Sequence, residues 1–248
     1  MTKVIDIMNY LDTVFPRDTA ESYDNPGLIT GSSSKDIGTC VLALDITSDV
    51  LDFAMASGAE LILCHHPLIF GGIDTVNEED IYGNLISRMI KNDISSFAAH
   101  TNLDKNHEFS NDVLARTLGA VSLYDSENVS CGTFCELDKE TDIRSFIGII
   151  TGKLASTGAI SINHLDNKVH KLFVQGGSFD EDSIPEIRAQ GVDTVVSGEI
   201  KHHICVLLNE MGINTVIAGH RETERVFMPY LADVLTSKFT DVRFLVRL

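Results

Sequence analysis

The sequence predicts an α/β protein whose strands form a mostly parallel sheet covered by helices on both faces. Two observations support this prediction. Short apolar runs alternate with segments of helical period over the first half of the chain, and the same alternation resumes after about residue 190. Between them lies a stretch with weaker strand patterns and more turn residues, which indicates a second, smaller α/β domain inserted into the first.

The elements of the first half can be predicted in order. An amphipathic helix at the amino terminus is indicated by five apolar residues at helical spacing, Val4, Ile7, Met8, Leu11 and Phe15. It is followed by predicted strands at 39–46, 60–64 and 95–100 and predicted helices at 48–58, 81–92 and 111–119. The segment YDNPGL at 23–28 is interpreted as a turn that leads into a strand.

The remaining elements define the predicted domains. After residue 190, strands are predicted within 193–199, 213–220 and 240–248, with helices within 200–212 and 222–238. We therefore predict a discontinuous α/β domain formed by residues 1–126 and 191–248, and a smaller inserted α/β domain at 127–190.

Composition narrows the function classes. The chain has 248 residues, and its 19 basic and 36 acidic side chains give a net charge of −17. Because the basic residues are scattered, a nucleic-acid partner is disfavoured. No apolar run approaches the roughly 18–20 residues that span a bilayer, so no membrane association is expected. The five cysteines are odd in number and no secretory signal is visible, so we expect reduced thiols and a cytoplasmic protein.

Four predicted strands end in polar clusters. These clusters are His65-His66, His100 with Asp104, Glu199, and His220 with Glu224. In open α/β sheets, ligands bind beyond the carboxyl ends of the strands, so we expect the four clusters to converge at one sheet edge. Imidazoles mixed with carboxylates suit Zn, Mn, Fe, Co or Ni better than Ca or Mg. The sequence therefore predicts a metal site.

The spacing within each cluster bears on which residues bind metal. His220 and Glu224 lie on one face if a helix begins near residue 220. His100 and Asp104 share this spacing, although TNLD at 101–104 can equally form a loop. His65 and His66 would point to opposite faces in a strand, so either a turn aims both at one site or only one of them binds. A carboxylate such as Asp104 can bridge two ions about 3.5–4 Å apart.

Other chemistries find less support. The sequence contains no nucleophile elbow, dinucleotide-binding motif or P-loop. Cys64 continues an apolar strand and is expected to be an inert buried thiol. His202 follows Glu199 on a predicted helix, and we expect at most a supporting role or a substrate contact. His107, His164 and His170 lack a strand-end position and are expected at the surface.

The chain resembles the family of GTP cyclohydrolase I type 2 homologs, also called NIF-three-like proteins. The matching segments span nearly the whole chain: YDNPGLITG at 23–31, LDIT at 44–47, LILCHHPLIF at 61–70, AAHTNLD at 98–104, TVVSGEIKHH at 194–203 and AGHRETER at 218–225. The resemblance implies a NIF-three-like fold, with two α/β domains built on mixed sheets and the first completed by the carboxyl-terminal part of the chain. It also implies a homohexamer whose metal sites face an internal cavity.

The resemblance further implies a dinuclear metal centre. Its ligands match five residues here, His65, His66, Asp104, His220 and Glu224, with Asp104 between the ions and His100 lining the site. The family often has Asp where this chain has Glu199, so the role of Glu199 stays open.

The implied activity is that of a metal-dependent hydrolase on a small-molecule substrate such as GTP, with a metal-bound hydroxide attacking a purine ring carbon and His100 assisting. Two alternatives share these ligands. One is a non-catalytic metal-binding or regulatory ring assembly, and the other is a two-metal phosphoesterase or amidase.

Overall fold

The structure is a computed structural model that describes residues 1–106 and 108–248. The described residues form the following strands and helices, in chain order: α1 Val4–Val14, β1 Gly27–Thr30, β2 Thr39–Ala43, α2 Ser48–Ser57, β3 Leu61–Cys64, α3 Ile81–Lys91, β4 Ser95–Ala98, α4 Thr101–Asp104, α5 Ser110–Thr117, β5 Ala120–Tyr124, β6 Thr133–Asp142, α6 Ile143–Lys153, β7 Ile160–Ser161, β8 Lys168–Ser178, α7 Ile184–Ala189, β9 Thr194–Glu199, α8 His202–Glu210, β10 Asn214–Ile217, α9 His220–Glu224, α10 Phe227–Lys238 and β11 Arg243–Val246. Short 3₁₀ turns occupy Arg17–Thr19 and Glu181–Ser183.

The chain divides into two compact units. The first unit contains Met1–Asn106 and Met228–Leu248, and the second contains His107–Phe227. Each unit has its own mixed sheet with helices packed on it. The predicted fold, two α/β domains with mixed sheets and the second inserted into the first, is confirmed.

The sheet of the first unit has the strand order β1-β4-β3-β2-β11. β1 runs antiparallel to β4, and the other neighbours are parallel. Every residue of β2, β3 and β4 is buried, which is typical of parallel strands covered on both faces. The amino-terminal helix α1 is confirmed, and it buries the apolar side chains at positions 4, 7, 8 and 11.

Helices α2 and α3 cover part of this sheet through one apolar cluster, which includes Val41, Ile62, Leu51 and Met89. Local signals set the ends of α2. The Thr47 side chain accepts the N–H of the third residue of the helix, and Gly58 ends the helix in the left-handed conformation at a φ of 66°. The start of α2 is therefore fixed directly after β2, close to the carboxyl ends of the strands.

The sheet of the second unit has the order β5-β6-β8-β9-β10-β7. Its central strands β8, β9 and β10 are parallel, and the remaining pairs are antiparallel. Successive residues of β8 serve opposite faces: Leu172 and Val174 pack in one apolar cluster with α6, and Phe173 packs in another with α7 and α8.

The second unit is larger than the predicted insertion at 127–190. It also includes residues 107–126 and 191–227 because β5 pairs with β6, and because β9 and β10 extend the sheet from β8. The prediction that four strand ends share one sheet edge is therefore wrong. β3 and β4 belong to the first sheet, whereas β9 and β10 belong to the second.

Within the described residues, no helix is long and apolar enough to cross a membrane.

Candidate functional site

In the first unit, the carboxyl ends of β3 and β4 lie side by side, with Cys64 paired to Ala98. Immediately after β3, the backbone N–H groups of His65 and His66 both donate to the carbonyl of Leu44, at 3.2 and 2.9 Å. This turn brings the two imidazole rings together, with their centroids 4.8 Å apart. The sequence left open whether a turn aims both histidines at one site or only one of them can bind. The structure has the turn, and both rings lie at one place.

His100 and Asp104 join this pair from the end of β4. The His100 ring centroid lies 5.1 Å from that of His65 and 5.4 Å from that of His66. The segment after His100 is the one-turn helix α4, in which the Asp104 N–H donates to the His100 carbonyl at 3.1 Å. Asp104 Oδ2 lies 3.6 Å from His65 Nε2. The first unit thus brings together four predicted site residues, which we call the first donor set.

Two of these imidazoles are oriented by acceptors behind them. His65 is fully buried, and its Nδ1–H donates to the Ala99 carbonyl at 2.8 Å. His66 Nδ1–H donates to Asp45 Oδ1, also at 2.8 Å. Because a carbonyl or a carboxylate accepts hydrogen bonds and does not donate them, each ring carries a proton on Nδ1, and in the neutral imidazole the lone pair is on Nε2. This arrangement is typical of histidines that bind metal.

The third imidazole, His100, is oriented by Asp24. The Asp24 side chain is 0% exposed and accepts the Nδ1–H of His100 at 2.8 Å. It also accepts the backbone N–H of Thr101 at 3.0 Å and the hydroxyl of that residue. The ring nitrogen that each of the three histidines can offer to a ligand lies within 4.8 Å of the other two.

The surroundings of His100 set its charge and that of Asp24. Burial alone would raise the pKa of the Asp24 carboxyl, but the hydrogen bonds from Thr101 and His100 outweigh burial and hold the pKa below its ordinary value. Burial, together with the neighbouring His65 ring, lowers the pKa of His100 although Asp24 opposes this change. At neutral pH the pair is therefore a buried carboxylate hydrogen-bonded to an uncharged imidazole.

The second unit holds the other predicted ligands, which we call the second donor set. His220 is the first residue of α9, and Glu224 follows one turn later, so both side chains lie on one face of the helix. His220 Nε2 lies 3.0 Å from Glu224 Oε1, and His220 Nδ1 lies 3.4 Å from Glu199 Oε1 at the end of β9. Glu224 is buried, whereas Glu199 is exposed.

Glycines let α9 pack directly against β8 and β9. Gly177 in β8 has a φ of +64°, and a Cβ at this position would overlap Glu224 Oε1 and lie 3.3 Å from His220 Nε2. A Cβ at Gly198 in β9 would lie 2.7 Å from the His220 Cα atom. The Gly177 N–H also donates to Thr223 Oγ1 at 3.1 Å. The positions of His220 and Glu224 in the second donor set therefore depend on the absence of side chains at Gly177 and Gly198.

A pocket of about 700 Å³ opens beside His66 and His100 in the first unit. It is lined by Asp45, Ile46, Thr47, Ser48, His66, Pro67, Leu68, Phe70, Gly72, Ile73, Ile81, Tyr82, Leu85 and His100. Its volume lies within the range of small-molecule sites in proteins. The imidazoles of His66 and His100 are therefore accessible to a ligand of the size of a metabolite.

The other candidates from the sequence do not join these sets. Burial raises the pKa of the Cys64 thiol to about 12, so this thiol is protonated at neutral pH and is not a nucleophile. His202 is exposed at the start of α8. His164 is exposed and His170 is half-buried, while His107 lies outside the described residues.

Comparison with known proteins decides the family. The family model described as Duf34/NIF3 (NGG1p interacting factor 3) matches residues 2–248. The chain belongs to the Duf34/NIF3 family. A Clostridium perfringens protein named GTP cyclohydrolase 1 type 2 homolog is 32% identical over 98% of this chain and 95% of its own. A Clostridium acetobutylicum protein of the same name is 29% identical over 90% of this chain and 85% of its own.

A solved Duf34/NIF3-like structure agrees with the fold described above. A hypothetical protein of Staphylococcus aureus superposes with a TM-score of 0.92 at 26% identity, covering 99% of this chain and 96% of its own. Membership of the Duf34/NIF3 family and the NIF-three-like fold, both inferred from sequence segments, are therefore confirmed.

Sequence reasoning missed three residues that position the Duf34/NIF3 donor sets: Asp24, Asp45 and Gly177. Asp24 was assigned to a turn, and Asp45 lies in LDIT, which entered only as a matching segment. Asp45 lies near the carboxyl end of the strand predicted at 39–46, where ligands bind in open α/β sheets, and this position could have indicated its role. Gly177 lies in a Gly-Gly pair inside a strand pattern, which often marks close approach of another backbone or side chain.

Proposed function

We propose that this protein is a metal-dependent hydrolase that binds two divalent ions through His65, His66 and Asp104 in the first unit and His220 and Glu224 in the second. The observation that carries the proposal is the shared orientation of the imidazoles in the first donor set. Each ring gives its Nδ1–H to a fixed oxygen acceptor, and this is the orientation in which the Nε2 atom of a neutral imidazole can coordinate a metal ion.

The chemistry of the donor atoms fits Zn, Fe, Mn, Co or Ni. Imidazole nitrogens and carboxylate oxygens together suit these ions, and oxygen-only sites suit Mg and Ca. The second donor set also combines an imidazole nitrogen with a carboxylate oxygen. His220 Nε2 and Glu224 Oε1 lie 3.0 Å apart on one side of α9. When bound, such ions would polarise the substrate and lower the pKa of water.

We assign proton transfer to His100. Its ring is uncharged at neutral pH, so Nε2 can accept a proton from an attacking water molecule and return it to the leaving group. The buried Asp24 carboxylate behind Nδ1 would stabilise the imidazolium that forms. Asp45, behind His66, is 54% exposed, and solvent screens its charge far more. His100 is therefore better placed than His66 to cycle a proton.

The substrate proposal rests on the relatives. Two relatives carry the name GTP cyclohydrolase 1 type 2 homolog, and we propose hydrolytic opening of a purine nucleotide ring with release of formate. A phosphoesterase or an amidase would use the same donor sets, and a regulatory metal protein would bind the ions without turnover. The choice among them therefore depends on measured products.

The test combines metal content with product analysis. Purified protein is loaded with each metal in turn, its ions per chain are counted by elemental analysis, and formate is measured with GTP as substrate. We expect two ions per chain, formate release, and loss of both in His66→Ala. The exposed His164→Ala variant is the matched control and should retain both.

Each other outcome has a distinct meaning. If the His66→Ala and Glu224→Gln variants each keep both ions, the assignment of these residues as metal ligands is overturned. Bound metal without formate would reject GTP ring opening. Release of phosphate or ammonia from a substrate panel would then favour the phosphoesterase or amidase, and metal-dependent partner binding without any turnover would favour the regulatory protein.

We also propose that the protein is a cytoplasmic homohexamer, as the family resemblance implies. Light scattering coupled to size-exclusion chromatography should give six times the mass of the chain. A monomer or dimer at the concentrations used for the activity assay would reject this assembly.

A further inference from the structure

We infer that the pocket beside His66 and His100 recognises an uncharged flat ring and leaves any phosphate group of the ligand unrecognised. The position of the reacting centre rests on the proposed function. The class of ligand follows from the chemistry of the pocket. It predicts that a nucleoside binds about as well as its triphosphate.

The walls of the pocket are apolar and aromatic. Seven of the lining residues have large apolar or aromatic side chains, namely Ile46, Leu68, Phe70, Ile73, Ile81, Tyr82 and Leu85. Phe70 lies edge-on to the His100 ring, with the centroids 6.1 Å apart, and the Tyr23 ring centroid lies 6.1 Å from that of Phe70. Aromatic edges and faces at these separations suit contact with another ring.

Several of these side chains are also exposed to solvent. Phe70 is 52% exposed, Tyr82 is 55% exposed and Ile81 is 74% exposed. Large apolar side chains that cluster at a cleft commonly mark a place where a ligand covers them. A flat ring that enters between Phe70 and Tyr82 would remove this apolar surface from water and would bring its edge toward His66 and His100.

The described side chains of the pocket provide no positive charge for the recognition of phosphate. Among the described residues that line it there is neither Lys nor Arg, and Asp45 is the one acidic side chain. Phosphate is normally bound by Arg or Lys side chains or by rows of backbone N–H groups. The chain as a whole carries a net charge of −17, which adds long-range repulsion of a triphosphate.

Together these features define the orientation of the ligand. The ring lies inside the pocket with one edge facing the imidazoles of His66 and His100, and a ribose or phosphate chain extends toward solvent. The ligand class is thus an uncharged heteroaromatic compound, of which a nucleoside is one example.

Binding is tested on the Asp24→Asn variant, in which we expect about a hundredfold slower turnover, so that the ligands persist during the titration. Metal-loaded protein is titrated by calorimetry with guanosine, GTP and inorganic triphosphate, with excess Mg²⁺ present so that triphosphate does not strip metal from the protein. We expect guanosine to bind with a Kd within about threefold of that of GTP, a difference below about 1 kcal/mol. Inorganic triphosphate should not compete with guanosine. Added salt should leave guanosine binding unchanged, because no ion pair contributes to it.

Variants of the pocket wall provide the second measurement. Phe70→Ala and Tyr82→Ala should each weaken guanosine binding about tenfold, because each removes one aromatic contact. Ile90→Ala is the matched control, since Ile90 is an exposed apolar residue of the same helix as Tyr82 and does not line the pocket. Circular dichroism checks that each variant is folded.

The inference is overturned if GTP binds more than about tenfold tighter than guanosine, if triphosphate displaces guanosine, or if none of the three compounds binds. Its failure is distinguishable from that of the proposed function. Ring binding without hydrolysis would leave the pocket assignment standing, and formate release combined with a strong preference for the triphosphate would overturn this inference alone.

Discussion

The two donor sets are built in different ways. In the first unit, three imidazoles reach the site from two strand ends, and each is oriented from behind by a separate oxygen acceptor. In the second unit, His220 and Glu224 come from one helix and contact each other, and close packing against glycines replaces most of this support. The imidazoles of the first set are therefore oriented by acceptors behind them, whereas the two donors of the second set are held by their contact with each other and by the glycines beside them.

The strongest test of this difference is Gly177→Ala. The new methyl group would overlap Glu224 Oε1, and the residue would be strained at a φ of +64°. We expect the free energy of unfolding of the second unit to fall by about 3 kcal/mol, the sum of left-handed strain and overpacking. Metal binding by the second donor set should be lost. Denaturant unfolding and elemental analysis provide the two measurements.

Gly212→Ala is the control for backbone strain alone. Gly212 has a φ of +75°, but no atom lies within 4 Å of the place its Cβ would occupy. We therefore expect Gly212→Ala to lower the free energy of unfolding by about 1–2 kcal/mol and to leave the metal content unchanged. Equal effects of the two substitutions would show that the space beside Glu224 is not limiting.

The next test concerns the buried support of the first set. Asp24→Asn keeps the shape of the side chain and removes its charge, so we expect turnover to fall about a hundredfold and the free energy of unfolding to fall by about 2 kcal/mol at pH 7. Because the folded-state pKa of Asp24 is below its ordinary value, the ionised group stabilises the fold above that ordinary value, about pH 4.

This stabilisation is lost as the pH falls through the lowered pKa. The difference in unfolding free energy between wild type and Asp24→Asn should therefore be largest near neutral pH and shrink below about pH 4. Urea denaturation at a series of pH values measures it. A difference that does not change between neutral and acidic pH would contradict the assignment of a buried, ionised Asp24.

The smallest expected effects come from the two exposed carboxylates. Asp45 accepts from His66 at 2.8 Å, and Glu199 lies 3.4 Å from His220 Nδ1. We expect Asp45→Asn to weaken metal binding about tenfold and Glu199→Gln to weaken it less, because the longer contact orients its imidazole less firmly. Competition with a metal chelator gives both affinities. A larger loss in Glu199→Gln would reverse the proposed order of support.

Much of the first donor set could be predicted from the sequence. His65, His66 and His100 each follow a continuous apolar run, and parallel strands bring their carboxyl ends to one sheet edge. Helical spacing likewise predicted that His220 and Glu224 share a face of α9. These predictions depend on the local spacing of apolar and polar residues, which can be identified in a single sequence.

The remainder depended on pairing between distant segments. Nothing local to β9 or β10 indicates that they extend the sheet of β8 instead of that of β3, so the domain boundaries differ from those predicted. The roles of Asp24 and Asp45 also depend on contacts 76 and 21 residues along the chain. Strand patterns do not specify such contacts, and Gly177 shows its importance only once α9 packs against it.

The acceptor behind His65 has an evolutionary consequence. It is the main-chain carbonyl of Ala99, which every substitution at position 99 retains. The carboxylates behind His66 and His100 are side chains, and a single nucleotide change removes either one. The orientation of His65 thus depends on no second side chain, whereas those of His66 and His100 each depend on one. Relatives that vary at this site should therefore differ first in the supports of the two outer histidines.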